Sequence, residues 1–93
     1  MITHVACFTL SDRGDRDEAD RRLRALSPQI EQILSLQTGL DAVGDAAAAD
    51  LVLITTHVDV AGLKAYQQHP VHQELLGWLR PRLAARTVVD FES

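Results

Sequence analysis

The segment Tyr66-Gln67-Gln68-His69-Pro70-Val71-His72 breaks the second half of the chain into two helices and groups a phenol with two imidazoles. Pro70 lacks a backbone N–H and suits the first position of a helix, and the residue before a proline is biased away from helix. One helix is therefore expected to end before His69 and another to begin at Pro70. Asp59 is the expected N-cap of the first, and Pro81 should bend or end the second. Their apolar positions are Leu63, Tyr66, Val71, Leu75, Trp78 and Leu79.

Four segments have the composition of strands. Ile2 to Leu10 alternates and is rich in β-branched and aromatic residues, and Leu51 to Val58 is strongly β-forming. A weaker strand is expected from Ile33 to Leu40, ending around Gly39, and a last one from Thr87 to Phe91.

An amphipathic helix lies between the first two predicted strands. Its apolar residues recur at helical spacing, and Pro28 should end it near Leu26. The decapeptide Asp41 to Asp50 is small and polar and is expected to form a loop. The apolar face of the helix and the turn after it comprises Ala19, Leu23, Leu26, Ile30 and Ile33.

The order of these elements is β-α-β-β-α-β, which predicts a ferredoxin-like α+β sandwich. The 93 residues are expected to form one domain, spanning 1–93. A chain of this size buries only about 60–65% of its unfolded surface, so oligomerisation would stabilise it.

The alternation of residues in the predicted strands leaves apolar side chains on both faces of the sheet. Two helices of ~10 Å cover one face of four strands spaced ~4.8 Å apart and no more. The second face should therefore pack on a second copy of the chain, giving a two-fold dimer that forms an α/β barrel. We expect the helices to cover the drier face, and the mixed face to line a cavity between the two sheets. The mixed face comprises His4, Ala6, Phe8, Leu51, Leu53, Thr55 and His57; the drier face carries Val5, Cys7, Val52 and Ile54.

Composition excludes several functional classes. The formal net charge is −4, whereas a nucleic-acid-binding surface would be basic. No apolar run approaches the ~20 residues that span a bilayer, so no membrane partner is expected. A single cysteine, Cys7, fits a reducing compartment, and the first residues do not resemble a secretion signal. The expected location is cytoplasmic.

Two interpretations of the ionisable residues stay open. His72 and Tyr66 either transfer protons as a base and an acid, or form a buried structural hydrogen bond. His4 either contacts a ligand or is a hydrogen-bonded core residue. His57 is expected to be exposed at a strand end, and His69 to cap the helix that Pro70 begins. A metal site is not expected, because Pro70 separates His69 from His72 and zinc needs at least three protein ligands.

Several segments together resemble the stress-responsive dimeric α/β-barrel family, often called the Dabb domain. The resemblance covers nearly the whole chain, and its most specific part is Tyr-x-x-His-Pro-x-His combined with a histidine in the first strand. The matching segments are Ile2-Thr3-His4-Val5-Ala6-Cys7-Phe8, Gly39, Asp50-Leu51-Val52-Leu53, Leu63 to His72 and Val88-Val89-Asp90-Phe91.

The resemblance implies a homodimer whose two sheets form a barrel. One plant branch of the family comprises polyketide cyclases, in which a tyrosine and the second histidine of the motif act as an acid/base pair. By motif position these catalytic roles fall on Tyr66 and His72, and His4 would line the pocket. His57 and Arg86 depart from the cyclases and would make the cavity more polar. The expected ligand-binding residues are His4, Leu53, Thr55, Leu75 and Val88.

Three functional hypotheses follow. The first is a homodimer that binds a small organic ligand in an inter-sheet pocket and performs aldol-type or isomerase-type acid/base chemistry without a cofactor. The second is a non-catalytic, stress-associated structural dimer. The third is a cofactor-free monooxygenase on the same fold.

Overall fold

The computed structural model describes residues 1–93 and has one antiparallel four-stranded sheet with three α-helices on one side. The strands are β1 (Ile2–Leu10), β2 (Ser35–Leu40), β3 (Leu51–His57) and β4 (Leu83–Glu92). The helices are α1 (Arg16–Arg24), α2 (Val60–Gln68) and α3 (Pro70–Leu79). The strand order is β2-β3-β1-β4, so the predicted ferredoxin-like fold is confirmed.

The break between α2 and α3 lies at His69, directly before Pro70, as predicted. His69 has extended backbone (φ −62°, ψ 137°), and its Nδ1 accepts a hydrogen bond from the Val71 N–H at 3.1 Å. Asp59 likewise caps α2 by accepting from the Gly62 N–H at 2.8 Å. A 3-10 turn at Arg80–Arg82 follows α3, as expected from Pro81.

The last strand is longer than predicted. It begins at Leu83, four residues before Thr87, and Leu83 pairs with Leu10 across a register shift. Ala84, Ala85 and Arg86 have little strand propensity, but pairing with β1 draws them into the sheet. At the other sheet edge, β2 begins at Ser35 rather than Ile33, because Ile33 packs in the core below the sheet end.

The helices cover the mixed face of the sheet, which reverses the expected assignment. Along β1 the side chains of His4, Ala6 and Phe8 are buried, and along β3 those of Thr55 and His57 are buried beside Leu51 and Leu53. Alternation groups residues by face but does not say which face is covered. Polar residues on the covered face find hydrogen-bond partners within the same subunit, so burial under the helices costs them little.

The uncovered face has no charged side chain. Its residues follow from the strand register and are only partly buried or exposed, with Val89 56% and Phe91 46% exposed at the β4 edge. No helix has the length and apolarity that crossing a membrane requires. The open face comprises Thr3, Val5, Cys7, Thr9, Ser35, Gln37, Gly39, Val52, Ile54, Thr56, Ala85, Thr87, Val89 and Phe91.

Candidate functional site

Tyr66 lies among three histidine rings beneath the helices, an arrangement we call the imidazole cage (His4, His57 and His72 around Tyr66). The ring centroid of Tyr66 is 4.6 Å from that of His72, 4.9 Å from that of His57 and 6.1 Å from that of His4. The edge-to-face contact with His72 has an interplanar angle of 63°. His4 lies on β1 and His57 on β3. Tyr66 lies on α2 and His72 on α3.

His72 is held in one tautomer. Its Nδ1–H donates to the backbone carbonyl of Gln67 at 3.0 Å, because a carbonyl oxygen can only accept. In the neutral ring Nε2 therefore carries the lone pair, and it makes no hydrogen bond. Burial lowers the pKa of His72 to about 4, with the charges of His4, Arg86 and Arg80 acting in the same direction. At neutral pH His72 is thus an uncharged base.

The hydroxyl of Tyr66 is buried and has no hydrogen-bond partner. Burial raises its pKa to about 12, and the positive charge of Arg86 offsets part of that rise. The phenol is therefore protonated at neutral pH and can donate a hydrogen bond. A buried hydroxyl without a partner costs about 1–3 kcal/mol, which a ligand oxygen at this position would relieve.

His57 was expected at the surface, but it is completely buried. Its Nδ1–H donates to the carbonyl of Gln32 at 2.8 Å, and its Nε2 accepts from the Thr55 hydroxyl at 2.9 Å. Burial lowers the pKa of His57, so the ring is neutral at pH 7. Although the strand ends at this residue, the chain before β2 folds over it, and alternation within β3 could not reveal that neighbour.

His4 pairs with a carboxylate that the sequence did not single out. Its Nδ1 lies 2.5 Å from Oδ1 of Asp90, which is directly opposite on β4. The side chain of His4 is 3% exposed and that of Asp90 is 37% exposed. Asp90 lies at the same alternating position as Val88 and Arg86, so the parity of β4 could have placed it on this face.

The other predicted site residues belong to the same side of the sheet. Thr55 contacts the cage through His57, whereas Leu53 and Leu75 are core residues in the cluster that contains Tyr66. Val88 is half-buried at the edge of that cluster. Arg86 lies on this face too, opposite Phe8, at an exposed position.

The prediction that the mixed face lines a cavity between two sheets is wrong. The cage lies between the helices and the sheet of one subunit, because the mixed face is the helix-covered one. Three grooves open at the surface, the first of about 250 Å³, and none is lined by a cage residue. A ligand must therefore displace side chains to reach Tyr66.

His69 and Cys7 lie outside the imidazole cage. No group of three or more His, Cys, Asp and Glu side chains is arranged to hold a metal ion. His69 is used as a helix cap, which confirms the expectation for that residue. Cys7 lies on the open face, opposite to His4.

Comparison with known proteins agrees with the fold. The model of the stress responsive A/B barrel domain family matches residues 2–93. An uncharacterized protein of Streptomyces coelicolor is 30% identical over 97 residues, covering 99% of both chains. A crystal structure of a dimeric ferredoxin-like protein of unknown function from Thermobifida fusca has 28% identity and a TM-score of 0.86, covering 99% of this chain and 90% of that one. A dimeric protein of unknown function from Bacteroides fragilis has 22% identity and a TM-score of 0.86, covering 99% and 95%. The chain belongs to the stress responsive A/B barrel domain (Dabb) family.

Proposed function

We propose that this protein is a homodimer whose imidazole cage binds the carbonyl group of a small organic ligand and moves a proton beside it. The observation that carries the proposal is the buried Tyr66 hydroxyl, which has no partner and lies against a neutral imidazole with a free Nε2. This is the pairing of a hydrogen-bond donor with a base that carbonyl enolisation requires.

The proton transfer balances without a cofactor. Nε2 of His72 takes a proton from the carbon next to the carbonyl, and the C–H electron pair moves through the carbon–carbon bond onto the carbonyl oxygen. The Tyr66 hydroxyl donates a hydrogen bond to that developing oxyanion. Nε2 of His72 then returns the proton to a different, conjugated carbon of the enolate, which is isomerisation; alternatively the enolate carbon attacks a second carbonyl, and the oxygen of that carbonyl takes the proton from Nε2, which is an aldol step.

Dimerisation through the open face supports the same proposal. The Thermobifida fusca and Bacteroides fragilis structures are described as dimeric, and the open face of this chain is free of charge. The face also groups Val5, Val52, Ile54, Val89 and Phe91 at partly or fully exposed positions, and grouped exposed apolar residues are typical of protein–protein contacts. A second sheet packed there would stiffen β1, which carries His4, from its other side.

The proposal is tested by deuterium incorporation into 4-oxopentanamide, a small neutral ketone, in D₂O. We expect the wild-type protein to accelerate exchange beside the ketone, and His72→Gln to lower that rate by about 10²-fold or more, since a positioned base contributes about 10²–10⁴-fold. Tyr66→Phe should lower it as well. His69→Asn keeps the cap of α3 and is the matched control that should exchange normally.

The non-catalytic structural dimer is the competing function, because no groove reaches the cage. It predicts that wild-type exchange equals the buffer rate and that Tyr66→Phe and His72→Gln both lower the melting temperature. The acid/base proposal instead expects Tyr66→Phe to fold at least as stably as wild type, because the substitution removes a buried hydroxyl that has no partner. The monooxygenase hypothesis stays a prediction that no feature of the cage favours.

A further inference from the structure

Two arginines differ from the others in having no partner. Arg80 and Arg86 form neither a hydrogen bond through the guanidinium nor an ion pair with any carboxylate, although the chain has 13 acidic residues against 9 basic ones. Every other arginine holds a carboxylate or a backbone carbonyl, namely Arg13, Arg16, Arg21, Arg22, Arg24 and Arg82.

Both unpaired guanidinium groups act on the imidazole cage. The charge of Arg86 lowers the pKa of both Tyr66 and His72, and the charge of Arg80 lowers that of His72. The one carboxylate that acts on the cage, Asp90, is hydrogen-bonded to His4. Two guanidinium groups thus act on the cage against one carboxylate, in a protein of net charge −4.

The helices cover the cage least along β4, the strand that carries Arg86. Arg86 and Asp90 are exposed on the helix-side face of β4, and Val88 between them is only half-buried. In contrast, the same face of β1 and β3 is buried throughout under the helices. A molecule that approaches Tyr66 beside β4 passes Arg86, whose guanidinium is unpaired, and Asp90, whose carboxylate is already bound by His4.

We propose that Arg86 forms an anion-binding subsite at the β4 edge of the imidazole cage, and that the ligand is a small organic acid with a ketone or aldehyde group. Its carboxylate would lie on the guanidinium of Arg86 and its carbonyl oxygen would accept from the buried Tyr66 hydroxyl. Arginine suits this role because its planar fork binds carboxylates through two parallel hydrogen bonds. This inference rests on the proposed function, since it names the substrate class of the same site.

Binding of an anion would change the base as well as orient the ligand. The two positive charges disfavour protonation of His72, and a bound carboxylate would offset them. His72 would then accept a proton more readily when the acid is bound than when the cage is empty. The anionic end of the substrate would thereby contribute to the reaction at its other end.

The test compares 4-oxopentanoate with 4-oxopentanamide, which share the same ketone and differ in charge. Affinity is measured by NMR shift perturbation of the histidine ring protons, independently of any turnover. We expect the acid to bind at least about tenfold more tightly than the amide, as one charge-assisted contact gives. Arg86→Gln should remove that preference and leave amide binding unchanged, while Arg86→Lys should keep part of it. Lys64→Gln removes the same charge from an exposed site on α2 and should change nothing.

The outcomes separate this inference from the proposed function. Equal affinity for acid and amide, or a preference that survives Arg86→Gln, overturns the anion subsite even if deuterium exchange is observed. An Arg86-dependent preference without any exchange supports the subsite and overturns the acid/base function. If inorganic phosphate competes for the site more strongly than acetate does, the subsite binds phosphate esters and the assignment of a carboxylic acid is wrong.

Discussion

At the residue scale, Tyr66 combines two properties that a purely structural residue would not need. Its ring is packed against three imidazoles, which stabilises the core, but its hydroxyl is desolvated without a partner. A phenylalanine would give the same packing without the cost of a buried hydroxyl. The hydroxyl is therefore better explained by the proposed hydrogen bond to a ligand than by the stability of the fold.

The neutral state of His72 makes stability depend on pH. Its pKa is about 4 in the folded protein against 6.5 for a free ring, so between these values the unfolded chain binds more protons than the folded one. The contribution of His72 to the free energy of unfolding has its full value above pH about 6.5. It decreases by roughly 3 kcal/mol as the pH falls to about 4. Urea unfolding at pH 7 and pH 4 measures it.

We expect His72→Gln to lose clearly less stability between these two pH values than wild type does. Gln68→Ala, a neutral change on the exposed side of α2, should follow the wild-type curve. If wild type and His72→Gln lose stability equally, His72 is not held neutral by burial. His57 also makes the free energy of unfolding decrease at low pH, because burial lowers its pKa as well. This decrease is present in both wild type and His72→Gln.

The sequence predicted most residues of the cage, but it did not predict their hydrogen-bond partners. Tyr66, His72 and His4 were grouped by the family resemblance, and the alternation of β1 and β3 placed His4, Thr55 and His57 on one face. The hydrogen-bond partners of the histidines could not be predicted, because they are distant in sequence or are backbone atoms. Asp90 is 86 residues from His4, and the groups that fix His57 and His72 are the carbonyls of Gln32 and Gln67.

At the scale of elements, the break at Pro70 allows α2 and α3 to present Tyr66 and His72 to the same point. A continuous helix would put residues six positions apart on different sides, since 3.6 residues complete a turn. The sequence predicted the helix break at Pro70 and the cap at His69, but it did not predict where β4 begins. Propensity favours a strand only from Thr87, and the earlier residues are drawn in by tertiary pairing with β1.

The His69 cap gives a prediction at this scale. His69→Ala removes the acceptor of the Val71 N–H and should lower the free energy of unfolding by about 1 kcal/mol. His69→Asn supplies another good N-cap and should restore it. Chemical denaturation of the two variants beside wild type measures the difference. Equal stability of His69→Ala and His69→Asn would show that the extended backbone before Pro70 fixes the break without the side chain.

At the scale of the whole molecule, the two faces of the sheet differ in their residues and in their proposed roles. The covered face holds the polar side chains in a network within one subunit, and the open face holds only uncharged residues suited to a partner. The sequence predicted two apolar faces and hence a dimer, but it could not say which face the helices cover. A shift of one residue in alternation exchanges the faces. In the structure the carbonyl of Gln32, which lies outside the sheet, binds His57, so the mixed face is the covered one.

Charge on the open face should therefore dissociate the proposed homodimer while the cage stays intact. Val89 is 56% exposed on this face, and Val89→Asp would bury a carboxylate without a counter-ion against the partner sheet. Analytical ultracentrifugation should show wild type as a dimer and Val89→Asp as a monomer at micromolar concentration. Gln68→Glu adds the same charge to the exposed side of α2 and should remain dimeric. If Val89→Asp sediments as wild type does, the subunits associate through another surface, and the open sheet face needs a different explanation.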